Sequence, residues 1–320
     1  MSFLDEITSD FHKMLDIRSS LGYATATDKS SLPPFIDFCG QNYPDAEFIT
    51  KEMVDKWLIF HPYECKRTQA IFIALVRHYT KFIRSLGKEA FIPDEEYTIH
   101  YERYRPYIFN DEELTVFFQA VDTFPPNRTH KASGGQSQLL LPVLFRMMYC
   151  CGMRPSEPLR LHIDDVDLKS GDVYIRQSKK NKDRHIVMSE DLRDLCIRYS
   201  FLAGQREWFF QKLSGDPIPT QWMTYQFNVC WRLSGLVKRG DPRPYDFRHV
   251  FATRNMMRWI DEGKDVMSLL PYLSTYMGHA DFTSTLYYIH LLPDRLRRSA
   301  GIDWKQFSTI FGEGVYDEED

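Results

Sequence analysis

A segment without clear periodicity, followed directly by a helix-capping motif, divides this chain of 320 residues into two parts. Residues 93–108 carry prolines, mixed charges and tyrosines without clear periodicity, which is typical of a linker. Asn110 can cap the helix that follows, and Glu113 can bond back to that cap. The sequence therefore predicts an N-terminal domain over 1–92, a linker, and a second domain over 109–320.

The N-terminal domain is predicted to be mostly helical. Its clearest helix runs from about Lys66 to Leu86, with apolar residues at helical spacing on one face and Gly87 at its end. The other face is basic, and it is either a solvated surface or one that faces DNA phosphates. Under the second interpretation, the DNA-binding residues of this domain are Lys66, Arg67, Arg77, Lys81 and Arg84.

The second domain is predicted to be mainly α-helical with a small β-sheet. A buried helix over Leu139–Cys151 ends at Gly152. Residues 172–177 and 184–188 alternate as strands around a polar turn, which predicts a β-hairpin. Further helices are predicted near 189–201, 220–236, 247–259, 269–277, 283–291 and 304–311.

The composition, with 43% hydrophobic and 15% aromatic residues, is that of a folded globular protein rather than a disordered one. No stretch approaches the ~20 continuous apolar residues of a membrane span, and the first residues lack the basic and apolar regions of a signal peptide. We therefore expect a cytoplasmic protein without a membrane partner. The six cysteines form no CxxC pair and no metal-ligand spacing, so no metal site is predicted.

The formal net charge of −4 at pH 7 disfavours a nucleic-acid partner slightly, because phosphate contacts need lysine and arginine. Five acidic residues, however, lie within the last eight positions. Basic residues cluster locally within 176–184 and within 295–298. Local clustering is what a DNA-binding surface requires, and it keeps DNA among the possible partners.

Two arginine-bearing motifs and a histidine–tyrosine segment lie far apart in the second domain. They are Gly152-Met153-Arg154-Pro155-Ser156-Glu157, Tyr245-Asp246-Phe247-Arg248-His249, and the segment from Met277-Gly278-His279 to Tyr287-Tyr288. Breaking a phosphodiester with a protein nucleophile requires donors for the charge on the non-bridging oxygens and groups that move protons. Arginine grips phosphate oxygens bidentately and stays charged. These residues are therefore suited to holding a phosphodiester and attacking it with a phenol.

The order and spacing of these motifs resemble the tyrosine recombinase (phage integrase) family over about residues 110–292. The resemblance implies a helical core-binding (SAM-like) domain at the N-terminus and an α+β catalytic domain at the C-terminus. It makes Arg154 and Arg248 the clamps on the phosphate. Glu157 would steady Arg154, and His249 would pack behind Arg248 as a supporting residue.

The same resemblance assigns the histidine and the nucleophile. Met-Gly-His at His279 is similar to the family's Leu-Gly-His box, whose histidine hydrogen-bonds the scissile phosphate. The implied nucleophile is Tyr288, nine positions later, which is followed two residues on by a histidine as in the family. The neighbouring Tyr287 points about 100° away on a helix, so only one of the two tyrosines can face a cleft.

Two positions leave alternatives open. The family carries a catalytic lysine on the hairpin turn, as the acid that protonates the leaving 5′-oxygen, and the register favours Lys179. Lys180 and Lys182 are the alternatives, and both are otherwise assigned, with Arg184, to DNA binding.

Tyr245 stands where the family usually has a histidine. Its hydroxyl can donate a hydrogen bond to phosphate, but a pKa near ~10 makes it a poor base at neutral pH.

The resemblance implies a site-specific DNA recombinase that forms a 3′-phosphotyrosyl intermediate and needs no metal or nucleotide cofactor. Its partners would be double-stranded DNA with inverted-repeat core sites and further copies of the chain. A homo-tetramer on two sites would be joined through a C-terminal tail from about 292 to 320. The task would be integration, excision or transposition of a mobile element, or Xer-like resolution. Two alternatives stay open, a type IB topoisomerase and a non-catalytic DNA-binding regulator on the same scaffold.

Overall fold

The computed structural model describes residues 2–60, 65–101, 104–125, 134–178, 182–237, 239–279 and 282–291. The chain divides into two compact units, Met1–Tyr104 and Arg105–Asp320. The boundary between the two units, after Tyr104, lies inside the segment predicted as a linker, 93–108. Within the described residues, no helix is long and apolar enough to cross a membrane.

The first unit is built from helices packed around an aromatic core. Phe35 and Phe72 meet edge to face with their ring centroids 5.5 Å apart, and Trp57 stacks on Phe72. Tyr79 is fully buried and donates a hydrogen bond to the carbonyl oxygen of Ile7. The prediction of a mostly helical N-terminal part is confirmed. The helices are α1 (Phe3–Ser20), α2 (Ala26–Ser31), α3 (Pro33–Asn42), α4 (Lys51–Phe60) and α5 (Lys66–Ser85).

Part of the predicted linker packs on this first unit. The hydroxyl of Tyr97 donates to a carboxylate oxygen of Asp55 in α4 at 2.5 Å. From α5, Arg77 donates through Nε to the carbonyl oxygen of Pro93 at 2.7 Å and through Nη2 to that of Asp94 at 2.9 Å. The guanidinium that was predicted to face DNA at this position therefore holds the main chain of its own unit.

The second unit combines helices with a small antiparallel sheet, as predicted. The strands are β1 (Val166–Asp167), β2 (Asp172–Ser178) and β3 (Lys182–Val187). The order in the sheet is β1-β2-β3. Strand β2 pairs with β3 so that Val173 lies opposite Ile186 and Tyr174 opposite His185. The helices are α6 (Asp111–Asp122), α7 (Gly134–Cys151), α8 (Glu190–Ala203), α9 (Thr220–Leu233), α10 (Asp246–Asp261), α11 (Val266–Met277) and α12 (Thr283–His290).

An aromatic core fixes the start of α10, which carries one of the two arginine motifs. Phe247 is fully buried. It stacks on Phe109 with centroids 5.2 Å apart and on Phe118 at 5.9 Å. Such ring contacts contribute beyond their buried area. Because Arg248 follows Phe247 directly, this packing sets where the guanidinium of Arg248 can reach.

Candidate active site

Distant segments of the second unit converge around the residues predicted to be catalytic. The loop after α7 supplies Arg154, and the start of α10 supplies Arg248. The residue after α11 supplies His279, and α12 supplies Tyr288. Direct hydrogen bonds and ring contacts join these segments, so the structure brings the four side chains into one site.

Arg154 follows a glycine turn that ends α7. Gly152 has φ +59°, and a Cβ there would lie 2.5 Å from a ring carbon of Phe251, so only glycine fits. The Arg154 guanidinium donates through Nη1 to Oε1 of Glu157 at 3.0 Å and through Nη2 to the carbonyl oxygen of Gly278 at 2.8 Å. Burial and the neighbouring charge of Arg248 lower the pKa of Arg154, and an arginine nevertheless stays charged in proteins.

Arg248 is fully buried and bonds the ends of two helices. Its Nη1 donates to the carbonyl oxygen of Gly152 at 2.7 Å, and its Nη2 donates to that of Met277 at 2.6 Å. Carbonyls at the C-terminal end of a helix have no partner inside the helix and carry the negative end of its dipole. A guanidinium is therefore stabilised there, and its orientation is set before any substrate arrives.

The end of α11 presents His279 to the site. Gly278 adopts a left-handed conformation, φ +66° and ψ 44°, and the N–H of His279 bonds back to the carbonyl oxygen of Ser274 at 3.0 Å. This is the usual way for a helix to end at a glycine. Nδ1 of His279 and Oγ1 of Thr285 share a hydrogen bond of 2.6 Å. Thr285 belongs to α12, so the bond connects His279 to the helix that carries Tyr288.

Of the two adjacent tyrosines, Tyr288 is the one that stacks on the histidine. Its ring centroid lies 5.8 Å from that of His279, with 20° between the planes. Tyr288 is fully buried. Tyr287 is only partly buried, and its ring lies 6.3 Å from that of His249. The assignment of Tyr288 as the nucleophile, made from the spacing of the motif, stays a prediction.

Tyr245 and His249 lie beside these groups. Their ring centroids are 5.1 Å apart, and His249 is also 5.6 Å from Tyr288. Burial, followed by the charge of Arg248, lowers the pKa of His249 to about 3. The imidazole of His249 is therefore neutral at physiological pH. Its role as a supporting residue behind Arg248 stays a prediction.

Arg184 is a member of the site whose position the sequence reasoning did not anticipate. It was predicted to contact DNA, but its guanidinium is buried and bonds Glu157 through Nη1 and Nη2 at 2.7 and 2.8 Å. The third nitrogen, Nε, donates to the carbonyl oxygen of Tyr276 at 2.8 Å. All three nitrogens thus bond within the protein, so the prediction of a DNA contact is corrected. The alternation of β3 contained the signal, because Arg184 shares the inward face with the fully buried Ile186.

The structure describes only some of the other residues that were predicted to bind DNA. Lys66, Arg67, Lys81 and Arg84 are exposed on α5. Lys179 and Lys180 lie outside the described residues, as does the side chain of Lys182, whose backbone begins β3. The segment predicted as a C-terminal tail, 292–320, also lies outside them. Within the described residues, no group of three or more histidine, cysteine or acidic side chains could hold a metal ion.

Comparisons with known proteins agree with the motifs. Residues 112–295 match the model of the Phage integrase family. The integrase/recombinase y4rE of Sinorhizobium fredii is 26% identical over 306 residues, which cover 90% of this chain and 93% of that protein. The tyrosine recombinase XerC of Staphylococcus carnosus is 27% identical over 203 residues, 62% of this chain and 61% of that protein.

Solved structures share the fold. A lambda integrase dimer (residues 75–356) bound to a COC′ core site has a TM-score of 0.62 at 17% identity, covering 95% of this chain and 98% of that one. The XerH site-specific recombinase bound to a palindromic difH substrate has a TM-score of 0.59 at 18% identity, covering 85% and 77%. The family model spans more than half of the chain and includes both arginines, His279 and Tyr288. The chain therefore belongs to the phage integrase family and is a site-specific tyrosine recombinase.

Proposed function

We propose that the hydroxyl of Tyr288 attacks a DNA phosphodiester, forms a 3′-phosphotyrosyl bond and releases a 5′-hydroxyl. In the second step, a 5′-hydroxyl from a partner strand attacks the phosphotyrosine, which restores the phosphodiester and frees Tyr288. The number of phosphoester bonds is unchanged at each step, so no external energy source is needed. The convergence of Arg154, Arg248, His279 and Tyr288 in one site is the observation that carries this proposal.

The two arginines and the histidine have a common role in this mechanism. They stabilise the negative charge that grows on the non-bridging oxygens as the phosphorus becomes pentavalent. Arg248 is held by two carbonyls and Arg154 by Glu157 and the carbonyl of Gly278. Donors fixed in advance do not have to reorganise during the reaction, which is why such an arrangement accelerates it. Tyr245 would add a further hydrogen bond to the phosphate.

Protons must also leave Tyr288 and reach the departing oxygen. We assign protonation of the 5′-oxygen to Lys179, with Lys180 and Lys182 as alternatives on the same turn. A histidine with a pKa of about 3 is a weak base, so His249 is a poor acceptor for the phenolic proton. Tyr245 is a poor one too, because a phenol binds no further proton at neutral pH.

The proposed biological unit is a homo-tetramer on two double-stranded sites with inverted-repeat cores. Its copies would be joined through the tail over 292–320, and it would act in the cytoplasm. Support comes from proteins of the same fold, including a lambda integrase tetramer bound to a Holliday junction and the Tn1549 transposon integrase in complex with a circular-intermediate DNA. We propose integration, excision or transposition of a mobile element, or Xer-like resolution, as the task.

A covalent-trapping experiment tests the mechanism. The sites are first identified by sequencing DNA that the protein binds, and a duplex is then made with a nick beside the cleavage position. The cut fragment diffuses away and leaves the protein on the DNA. We expect a covalent adduct with the unaltered chain and with Tyr287→Phe, and none with Tyr288→Phe.

An adduct that survives Tyr288→Phe would overturn the assignment of the nucleophile. Absence of any adduct from the unaltered chain on its bound sites would contradict strand cleavage altogether. Relaxation of a supercoiled plasmid that contains no specific site would instead favour a topoisomerase.

A further inference from the structure

Arg184 connects three segments of the second unit through its guanidinium. Its Nη1 and Nη2 donate to Oε1 and Oε2 of Glu157 at 2.7 and 2.8 Å. Its Nε donates to the carbonyl oxygen of Tyr276 at 2.8 Å. The planar fork of a guanidinium matches a carboxylate in this bidentate way, which an ammonium group cannot reproduce. Arg184 thus ties β3 to the loop after α7 and to the last turn of α11.

Glu157 is shared between Arg184 and Arg154. Its Oε2 accepts the main-chain N–H of Arg154 at 2.7 Å, and its Oε1 accepts Nη1 of Arg154 at 3.0 Å. A carboxylate offers about four acceptor positions, and contacts from the two arginines fill them. Burial acts to raise the pKa of Glu157, but the bonds and charges of Arg184, with the charges of Arg248 and Arg154, lower it. The carboxylate is therefore ionised, and both arginines determine its position.

Arg184 also contacts the segment Gly278–His279. A Cβ on Gly278 would come within 2.9 Å of Cδ and 3.0 Å of Nη1 of Arg184, so the two residues are in close contact. The carbonyl of Gly278 also accepts Nη2 of Arg154 at 2.8 Å. Because His279 follows Gly278 directly, Arg184 and Arg154 together hold the main chain next to the catalytic histidine.

The hydrogen bonds of Arg184 indicate its role. All three nitrogens of its guanidinium donate to acceptors within the protein, two to Glu157 and one to the carbonyl oxygen of Tyr276. We propose that Arg184 is a positioning residue for strand cleavage, which makes no contact with DNA and holds Arg154, through Glu157, against the Gly278–His279 segment. This inference rests on the proposed function, because it assumes that Arg154 stabilises the phosphate in the transition state.

The test measures cleavage of the nicked duplex by the full chain under single-turnover conditions with protein in excess. Arg184→Gln and Arg184→Lys should each slow cleavage about 10- to 100-fold, since small displacements of catalytic groups have effects of this size. The dissociation constant for the duplex should change less than about twofold, because no DNA contact is lost. Arg184→Lys keeps the charge and serves as the second variant if Arg184→Gln does not fold.

A second substrate separates positioning from a general loss of structure. A methylphosphonate at the scissile position has a methyl group in place of one non-bridging oxygen, so its transition state carries one negative charge fewer and depends less on Arg154. If Arg184 acts through Arg154, the defect of its variants should fall to less than about threefold on this substrate, relative to the unaltered chain. Equal defects on the two substrates would show a merely structural role and overturn the proposal.

The matched control is a buried arginine without a partner in the site. Arg206 donates through Nε to the carbonyl oxygen of Phe209 and through Nη1 to that of Gly204. Arg206→Gln should lower the melting temperature and leave the cleavage rate unchanged on both substrates.

Weaker binding by the Arg184 variants, with a normal rate at saturating protein, would make Arg184 a DNA contact and overturn the proposal. A normal rate with normal binding would overturn it as well, while the proposed function would stand. No adduct from the unaltered chain would remove the proposed function and this inference together.

Discussion

Thr285 links the helix that carries Tyr288 to His279. Its hydroxyl is fully buried and lies 2.6 Å from Nδ1 of His279. A partner at Nδ1 fixes both the tautomer and the orientation of an imidazole. In the proposed mechanism, it therefore decides how Nε2 meets the phosphate. Since Tyr288 lies about one helical turn after Thr285 and stacks on the same ring, a single hydroxyl relates the positions of Tyr288 and His279.

Replacing Thr285 by valine should impair cleavage while preserving the shape of the side chain. We expect Thr285→Val to slow single-turnover cleavage about three- to tenfold, because one net hydrogen bond contributes on the order of 1 kcal/mol. Thr285→Ser restores the hydroxyl and should retain most of the rate. Thr275→Val is the control, since that exposed hydroxyl bonds only the carbonyl of Pro271 in its own helix. Equal rates for the valine and serine variants would refute the role of the hydroxyl.

The buried His249 should make the second unit sensitive to acid. Its pKa is about 3 in the folded state and near ~6.5 in an unfolded chain. Between these values only the unfolded state takes up a proton, so stability falls as the pH drops below about 6.5. The loss from this group between pH 7 and pH 5 is about 2 kcal/mol.

Denaturant unfolding at the two pH values measures this effect. His249→Gln removes the titrating group, so the stability of the variant should decrease by about 2 kcal/mol less between pH 7 and pH 5 than that of the unaltered chain. The comparison uses differences within each protein, so a constant destabilisation by the substitution cancels. An identical pH dependence in the two proteins would show that His249 is not buried in its neutral form.

The elements that the sequence predicts well are those defined by neighbouring residues. The start of α6 is an example, because Asn110 accepts the N–H of Glu113 at 2.8 Å and Glu113 bonds back to the N–H of Asn110 at 3.0 Å. The hairpin of β2 and β3 is another, since alternation and a polar turn suffice to predict it. In contrast, α7 begins at Gly134 and not at Leu139, because its first turn carries no apolar periodicity.

The candidate site shows what neighbouring residues cannot reveal. Motif order identifies Arg154, but its bond to the carbonyl of Gly278 crosses 124 residues of chain. The hydrogen bond from Arg184 to the carbonyl oxygen of Tyr276 joins residues that are 92 positions apart in the sequence. A charged turn that ends in arginine is ordinarily solvated, and only the packing of β3 on the end of α11 makes Arg184 a buried residue. Sequence patterns therefore do not reveal the hydrogen-bond partners that tertiary packing brings together from distant parts of the chain.

The distribution of charge over the whole molecule matters more for DNA binding than its sum. The net charge is −4, yet α5 presents a basic face to solvent, formed by the exposed residues Lys66, Arg67, Lys81 and Arg84. Each phosphate contact releases condensed counterions. The logarithm of the DNA-binding constant therefore falls linearly with the logarithm of the salt concentration, and the slope grows in magnitude by about 0.9 for each phosphate contacted. The slope can therefore distinguish a solvated face from one that binds phosphates.

Replacing all four residues of this basic face by glutamine should lower the magnitude of that slope by up to about 3.6. Binding of the full chain to its site is measured by titration at several salt concentrations. The single-turnover cleavage rate at saturating protein should stay unchanged, because these residues lie in the first unit and the side chains proposed to be catalytic lie in the second. Arg77→Gln is the control on the same helix: its guanidinium holds the carbonyls of Pro93 and Asp94, so its loss should destabilise the first unit without changing the slope. An unaltered slope in the fourfold variant would mean that the basic face of α5 is a solvated surface.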